Sequence, residues 1–412
     1  ASSRERTLLV VHNLLVAGEG ARACDVLLDL VERQWTRHGI ALHADRDLDL
    51  ITEHLPSAQA PRYWRLRARA AWARCAFDGA EEASKKALSL ANVLALPAET
   101  AACESLLGEA HKGRGRYEEA GECFRAALEA YRDLGDRAGE AQCCLLLAQC
   151  ALYMSRCSEA EGWIHETLVA AEASGKLEGV MAEAEWLLAS VLQEQGRYHE
   201  ARRRAEGALD LFTRCDNQLG VARAHWLLAT LIGHQGDLER CREHHRQAEA
   251  FFKEAGDRWW ILATALQGGW IAVACGEWQH ALGVAEFIRG ELPPSGVDNE
   301  RTQTFLISAA AGLGRGDLAL AVDALSQVDA IASHEPNLSQ TRCVLRAWLA
   351  HRQGCKAEAD TFLGEALGIF DEAGITSWGV PWILAQLQSL VWDTLAQSQG
   401  ALAGHSRDHF FS

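Results

Sequence analysis

Two stretches decide the fold: "GRYEEA" at Gly115–Ala120 and "GRYHEA" at Gly196–Ala201. Each reads as glycine, a polar residue, an apolar or aromatic residue, two variable residues and a small residue. The same frame returns as "GDLERC" from Gly236, "GEWQHA" from Gly276, "GDLALA" from Gly316 and "GCKAEA" from Gly354. "SRCSEA" from Ser155 is a variant of it, and "DGAEEA" from Asp78 a looser one. From Ala120 through Ala160, Ala201, Cys241, Ala281, Ala321 and Ala359 the steps are 40, 41, 40, 40, 40 and 38 residues. A register kept that closely marks an internal repeat.

A second small residue precedes each turn by seven positions: Ala71, Gly108, Ala148, Ala189, Ala229, Gly269, Ala309 and Ala347. Four residues past the small residue after the turn, several units carry a large side chain: Phe124, Ile164, Leu325 and Leu363. Each unit therefore predicts helix A, a tight glycine turn and helix B, with small residues letting the two helices approach closely. Neither helix can bury its apolar face alone, so neighbouring units must stack into a solenoid. "YRDLGD" at Tyr131–Asp136, "FKEAGD" at Phe252–Asp257 and "FDEAGI" at Phe370–Ile375 end helix B with a glycine suited to a C-cap.

The 412 residues are 49% hydrophobic with only 7 prolines, a mixture that favours packed helix. The net charge of -16 argues against a general nucleic-acid surface, because phosphate binding needs clustered Lys and Arg. No apolar run is long enough to span a bilayer, and no secretory signal is present. The 13 scattered cysteines read as small buried residues of a reducing cytoplasm. The start, "ASSRERTLLVVHNLL", enters a helical pattern at once and predicts a piece of a longer chain.

The repeat resembles the tetratricopeptide repeat over about eight units between Tyr63 and Gly374. It departs from that pattern in its period near 40 rather than about 34 residues. The large residue early in helix A is often missing, and so is the proline that closes helix B. The resemblance implies an all-α fold, an α-solenoid of TPR-like helix-turn-helix repeats forming a right-handed superhelix. The expected division is a helical junction or degenerate repeat at 1–60, the array at 61–374, and a capping helix with tail at 375–412. "GELPPSGVDNE" at Gly290–Glu300 is the clearest interruption, since its two prolines end a helix.

In such a superhelix the A helices line the concave groove, and the resemblance places a recurring set of positions there. The aromatic members are Trp72, Trp186, Trp226, Trp270 and Trp348, with Tyr153. The polar members are Gln142, Gln149, Ser190, Glu194, Arg223, Thr230 and His234. Flat aromatic surfaces beside polar groups suit a peptide, a sugar or a drug-like ligand. The competing reading is that these tryptophans pack against adjacent repeats; Trp259 and Trp260 are expected to wedge between units. Chaperone-binding relatives clamp a C-terminal carboxylate with Lys and Asn, and here that Asn position never holds Asn.

"LERCREHHRQAEAFF" at Leu238–Phe252 raises a metal site, because Cys241, His244 and His245 share a helical face and His234 lies just upstream. The register answers against it. Cys241 occupies the slot of Ala120 and Ala201, and His245 that of Phe124 and Ile164. "GRGR" at Gly113–Arg116 is a repeat turn rather than a phosphate loop, and no GxxxxGK[ST], HExxH or GxSxG motif occurs. No cofactor, metal or catalytic set is expected.

The long units and the helical preamble "HNLLVAGEGARACDVLLDL" resemble the C-terminal sensor region of bacterial STAND signalling ATPases and of maltose-regulon-activator-like regulators. That resemblance implies a cytoplasmic, non-catalytic sensor of a protein or peptide partner or a small-molecule inducer. It also implies an N-terminal ATPase domain in the full-length chain, with no direct contact to nucleic acid or membrane. The alternative is a freestanding scaffold for protein–protein interaction. A peptide-pheromone receptor of quorum sensing is a third reading, although the helix-turn-helix DNA reader usual in that class is not found.

Overall fold

A computed structural model describes residues 3–38, 44–74, 76–154, 156–175, 177–256, 258–292, 298–331 and 336–372. Its described elements are helices, with no strand among them. The expected capping helix at 375–412 and residues 293–297 of the proline interruption lie outside the described residues. Two compact units form, Ala1–Leu187 and Leu188–Ser412.

The first unit opens with α1 (Ser3–Val16), α2 (Gly20–His38) and α3 (Ala44–Asp49). Three A/B pairs follow: α4 (Ala60–Ala73) with α5 (Phe77–Val93), α6 (Pro97–Gly113) with α7 (Tyr117–Leu134), and α8 (Arg137–Tyr153) with α9 (Cys157–Ala173). Helices α1–α3 share one core with the first pair, where Leu27, Leu28, Leu48 and Ile51 meet Tyr63 and Leu66 of α4. Arg65 of α4 ties three helices together, at 2.7 Å from Glu32 of α2 and 2.8 Å from Glu99 of α6.

Helix α10 (Glu178–Glu194) runs through the division. The second unit continues with α11 (Tyr198–Arg214). Its pairs are α12 (Gln218–His234) with α13 (Leu238–Ala255), α14 (Arg258–Ala274) with α15 (Trp278–Glu291), α16 (Asp298–Arg315) with α17 (Leu318–Asp329), and α18 (Pro336–Arg352) with α19 (Lys356–Glu372). Helix starts are capped where the sequence offers an acceptor: Asp136 accepts from two backbone amides of α8, and Asn217 from the Gly220 amide.

The small-residue register is the packing register. Ala120, Ala160, Ala201, Cys241, Ala281 and Ala321 are all fully buried. At Gly108 a β-carbon would lie 2.6 Å from the Phe124 ring, so that glycine is the slot into which the helix B knob fits. The turn glycines Gly115, Gly196, Gly236, Gly276, Gly316 and Gly354 all take positive φ, between 70° and 81°.

The turns joining one repeat to the next share a second left-handed position. Gly135, Gly175 and Gly256 hold it with φ of 69°, 86° and 68°. Ala95 and Asp216 hold it with φ of 52° and 54°. A β-carbon in that region costs about 1–2 kcal/mol, less for Asp than for Ala. Ala95→Gly should therefore stabilise the protein by about 0.5–1 kcal/mol, after allowing for the greater freedom of unfolded glycine. Gly135→Ala, with open space around its β-carbon, should cost about 1 kcal/mol through the backbone alone. Urea-unfolding midpoints of the two variants should move in opposite directions.

Candidate functional site

In the first unit, Trp72 is half-buried against Ala71, Ala80 and Ala110, and its indole nitrogen has no hydrogen-bond partner among the described residues. Gln142 is exposed at the start of α8. Gln149 accepts a hydrogen bond from Lys112 at 2.5 Å, joining α6 to α8. Tyr153 is 61% exposed yet stacks on Tyr117, with ring centroids 5.1 Å apart. Trp186 is half-buried on α10.

In the second unit, Ser190 is half-buried and Glu194 exposed at the end of α10. Arg223, Trp226, Thr230 and His234 follow one another at intervals of three and four on α12, so they share a face. Trp226 meets Trp260 edge-on at 5.6 Å, and Trp260 stacks on Phe252 at 4.8 Å. Trp260 is thus wedged between successive repeats, as its position suggested, whereas Trp259 is 61% exposed. The Trp226 indole nitrogen is buried without a hydrogen-bond partner among the described residues. His234 stacks on Tyr198 at 4.2 Å, and burial pushes its pKa down to about 3. Trp270 and Trp348 are buried, at 4% and 3% exposure, on A helices that lie directly against a neighbouring A helix. Of the sequence-based candidates, α12 therefore carries the set that the fold brings together.

The cysteine and two histidines of α13 diverge. Cys241 is buried in the small-residue slot, and burial pushes its thiol up to about 12. His244 faces His225 of α12, with their Nδ1 atoms 2.8 Å apart. His245 faces Gln267 of α14, Nδ1 to Oε1 at 3.0 Å. Among the described residues no three His, Cys, Asp or Glu side chains gather as a metal-holding group.

The His225–His244 contact requires one ring to donate and the other to accept, so it fails when both are protonated. Burial is the main force lowering both pKa values, that of His244 to about 4. The unfolded chain then binds more protons than the folded one between pH 6.5 and about 4. Stability attributable to this pair should be complete above pH 6.5 and fall as pH drops through that window. With partial solvent screening the loss is about 1–2 kcal/mol. Denaturation midpoints followed from pH 7 to pH 4 should show this slope, and His244→Gln should flatten it.

One feature escaped the sequence-based reading. A cavity of about 520 Å³ lies between α13 and α15 and is floored by α14. Its floor is Ile261, Ala265, Gly268 and Ala272, and its walls include His245, Val284 and Phe287. The register explains the space. Where α14 has Gly268, earlier A helices carry Leu107, Leu147, Leu188 and Leu228. A β-carbon at Gly268 would stand 2.9 Å from the His245 ring. The readable signal was this pair of deviations taken together, glycine in a leucine slot and histidine in a phenylalanine or isoleucine slot.

The helix pairs and their register define tetratricopeptide architecture, and comparison agrees. The tetratricopeptide-repeat family model matches residues 98–168 and 180–255, so the chain carries these repeats. No curated protein sequence matches the chain. A Rap protein complexed with competence and sporulation factor aligns at TM-score 0.58 and 13% identity, over 85% of this chain and 98% of its own. The apo quorum sensor NprR from B. thuringiensis aligns at 0.57 and 13% identity, over 89% and 98%. A STAND protein with a tetratricopeptide repeat sensor, from Pyrococcus horikoshii, aligns at 0.55 and 12% identity, over 84% of this chain and 52% of its own. At these identities the likeness is one of fold.

Proposed function

We propose that this chain is a non-catalytic sensor module that binds a peptide segment of a partner on the α12 face of the second unit. The observation that carries the reading is the α12 face itself, where the half-buried Trp226 ring stands between Arg223 and Thr230, one turn to either side. A half-buried indole offers a peptide side chain a flat apolar surface, and the flanking charge and hydroxyl suit its polar groups. Two fold neighbours are described with bound signals, the Rap protein with competence and sporulation factor and NprR with its cognate peptide NprX.

In the same reading the chain works in the cytoplasm as the sensor arm of a larger signalling ATPase or transcriptional regulator. Residues 1–60 then form the junction, 61–374 the array and 375–412 the cap. The STAND neighbour supports that setting, and this chain spans about half of its length. Binding drives a switch only to the extent that the partner prefers one conformation of the repeats over another. Sequencing the full reading frame tests this part: a GxxxxGK[ST] loop upstream is expected. A complete frame without one removes the ATPase setting and leaves peptide binding standing.

Peptides selected on the immobilised protein from a random library test the site itself. Trp226→Ala removes the aromatic surface and should weaken the selected peptides by about 5–10-fold. Arg223→Ala should weaken those that carry an acidic residue. Unchanged dissociation constants in both folded variants would rule out the α12 face.

A further inference from the structure

We propose that the cavity between α13 and α15 is a second binding site, one for a small amphipathic molecule. The molecule would combine an apolar ring or chain, a hydroxyl or N–H donor, and an anionic group. The site uses the other side of the A-helix layer: on α14, Gly268 and the groove position Trp270 lie about 200° apart around the helix axis. It therefore stands or falls separately from peptide binding on α12.

Each part of the ligand answers a part of the cavity. The apolar body matches Ile261, Ile271, Val284 and Phe287, with Phe287 47% exposed at the surface. About 520 Å³ is within the usual range for small-molecule sites, roughly 300–1,000 Å³. The donor matches His245. Gln267 donates its amide to the Trp226 carbonyl at 2.8 Å and to Thr230 Oγ1 at 2.7 Å. Its oxygen can then only accept, so His245 Nδ1 carries the proton that it shares with that oxygen. A neutral ring in that tautomer keeps its Nε2 lone pair, which stands beside the gap at Gly268.

The anionic group matches the charge balance of the lining, where Arg242, Arg246 and Lys253 outnumber Glu249 and Glu277. Arg242 already bridges to Glu277 at 2.7 Å and Lys253 to Glu249 at 2.9 Å. Among the described residues Arg246 pairs with exposed Glu243 of its own helix, a contact of little worth in water. It is the cation most readily drawn to a bound anion.

The probe is 8-anilinonaphthalene-1-sulfonate, which unites two aromatic systems, an N–H donor and a sulfonate. Fluorescence titration of the whole chain should show saturable binding of one probe per molecule. Gly268→Leu installs the residue that four earlier repeats carry at this position and should raise the dissociation constant at least tenfold. Should that variant misfold against His245, Gly283→Trp decides, because a β-carbon at Gly283 meets nothing within 4 Å and Gly283 lines the cavity from α15. Trp226→Ala should lose peptide affinity while keeping the probe. The probe should also shift the His245 imidazole nitrogen resonances, identified by their loss in His245→Gln. A dissociation constant in Gly283→Trp within twofold of wild type, or unmoved His245 resonances at saturation, overturns the proposal.

Discussion

Everything in this fold rests on how closely helix A can approach helix B. An alanine or glycine seven residues before the turn leaves room for a knob, as Gly108 does for Phe124, and the small residue just after the turn is buried in successive repeats. That close approach lets larger knobs such as Phe124 and Ile164 reach the neighbouring helix. Burial of such side chains contributes roughly 1.5–3 kcal/mol each, against which the ordering of a short helix must be set. The pair alone has too little to bury, so it is stable only with neighbours on either side.

Successive repeats are joined by matched shapes. Phe77 lies over Gly113, and Trp278 over Gly314, in each case where a β-carbon would clash with the ring. Tyr131 and Phe212 close over Gly139 and Gly220 in the same manner. Where both partners are large they stack instead, as Tyr117 does with Tyr153, Tyr198 with His234, and Phe252 with Trp260. Polar pairs reinforce the joints. Glu81 receives Arg114 and Arg116 from the next turn, while at the equivalent joint of the second unit Arg242 receives Glu277.

Much of this was legible in the sequence, because a repeated pattern supplies its own alignment. The turn glycines, the buried small residues and the fate of Cys241 all follow from register alone. The candidate groove was legible only as a set of positions. Trp226 and Trp270 occupy neighbouring slots of a helix-A face, yet one is half-buried and the other enclosed. That difference depends on how tightly adjacent A helices close on each other, which position in the repeat does not state. The cavity was harder still. It arises from Gly268 and His245, 23 residues apart on different helices, each a mild departure by itself.

The matched joints give the repeats an order as well as a period. An array built from interchangeable units could lose or duplicate one without consequence. Here the Trp278 ring fits because Gly314 follows it, and removing α14 and α15 would set Leu238 against Gly314 and leave a void. A copied unit would bring a ring without its glycine, or a glycine without its ring. Exchange or duplication of a unit would therefore need a paired change at each new seam that joins a ring to a glycine.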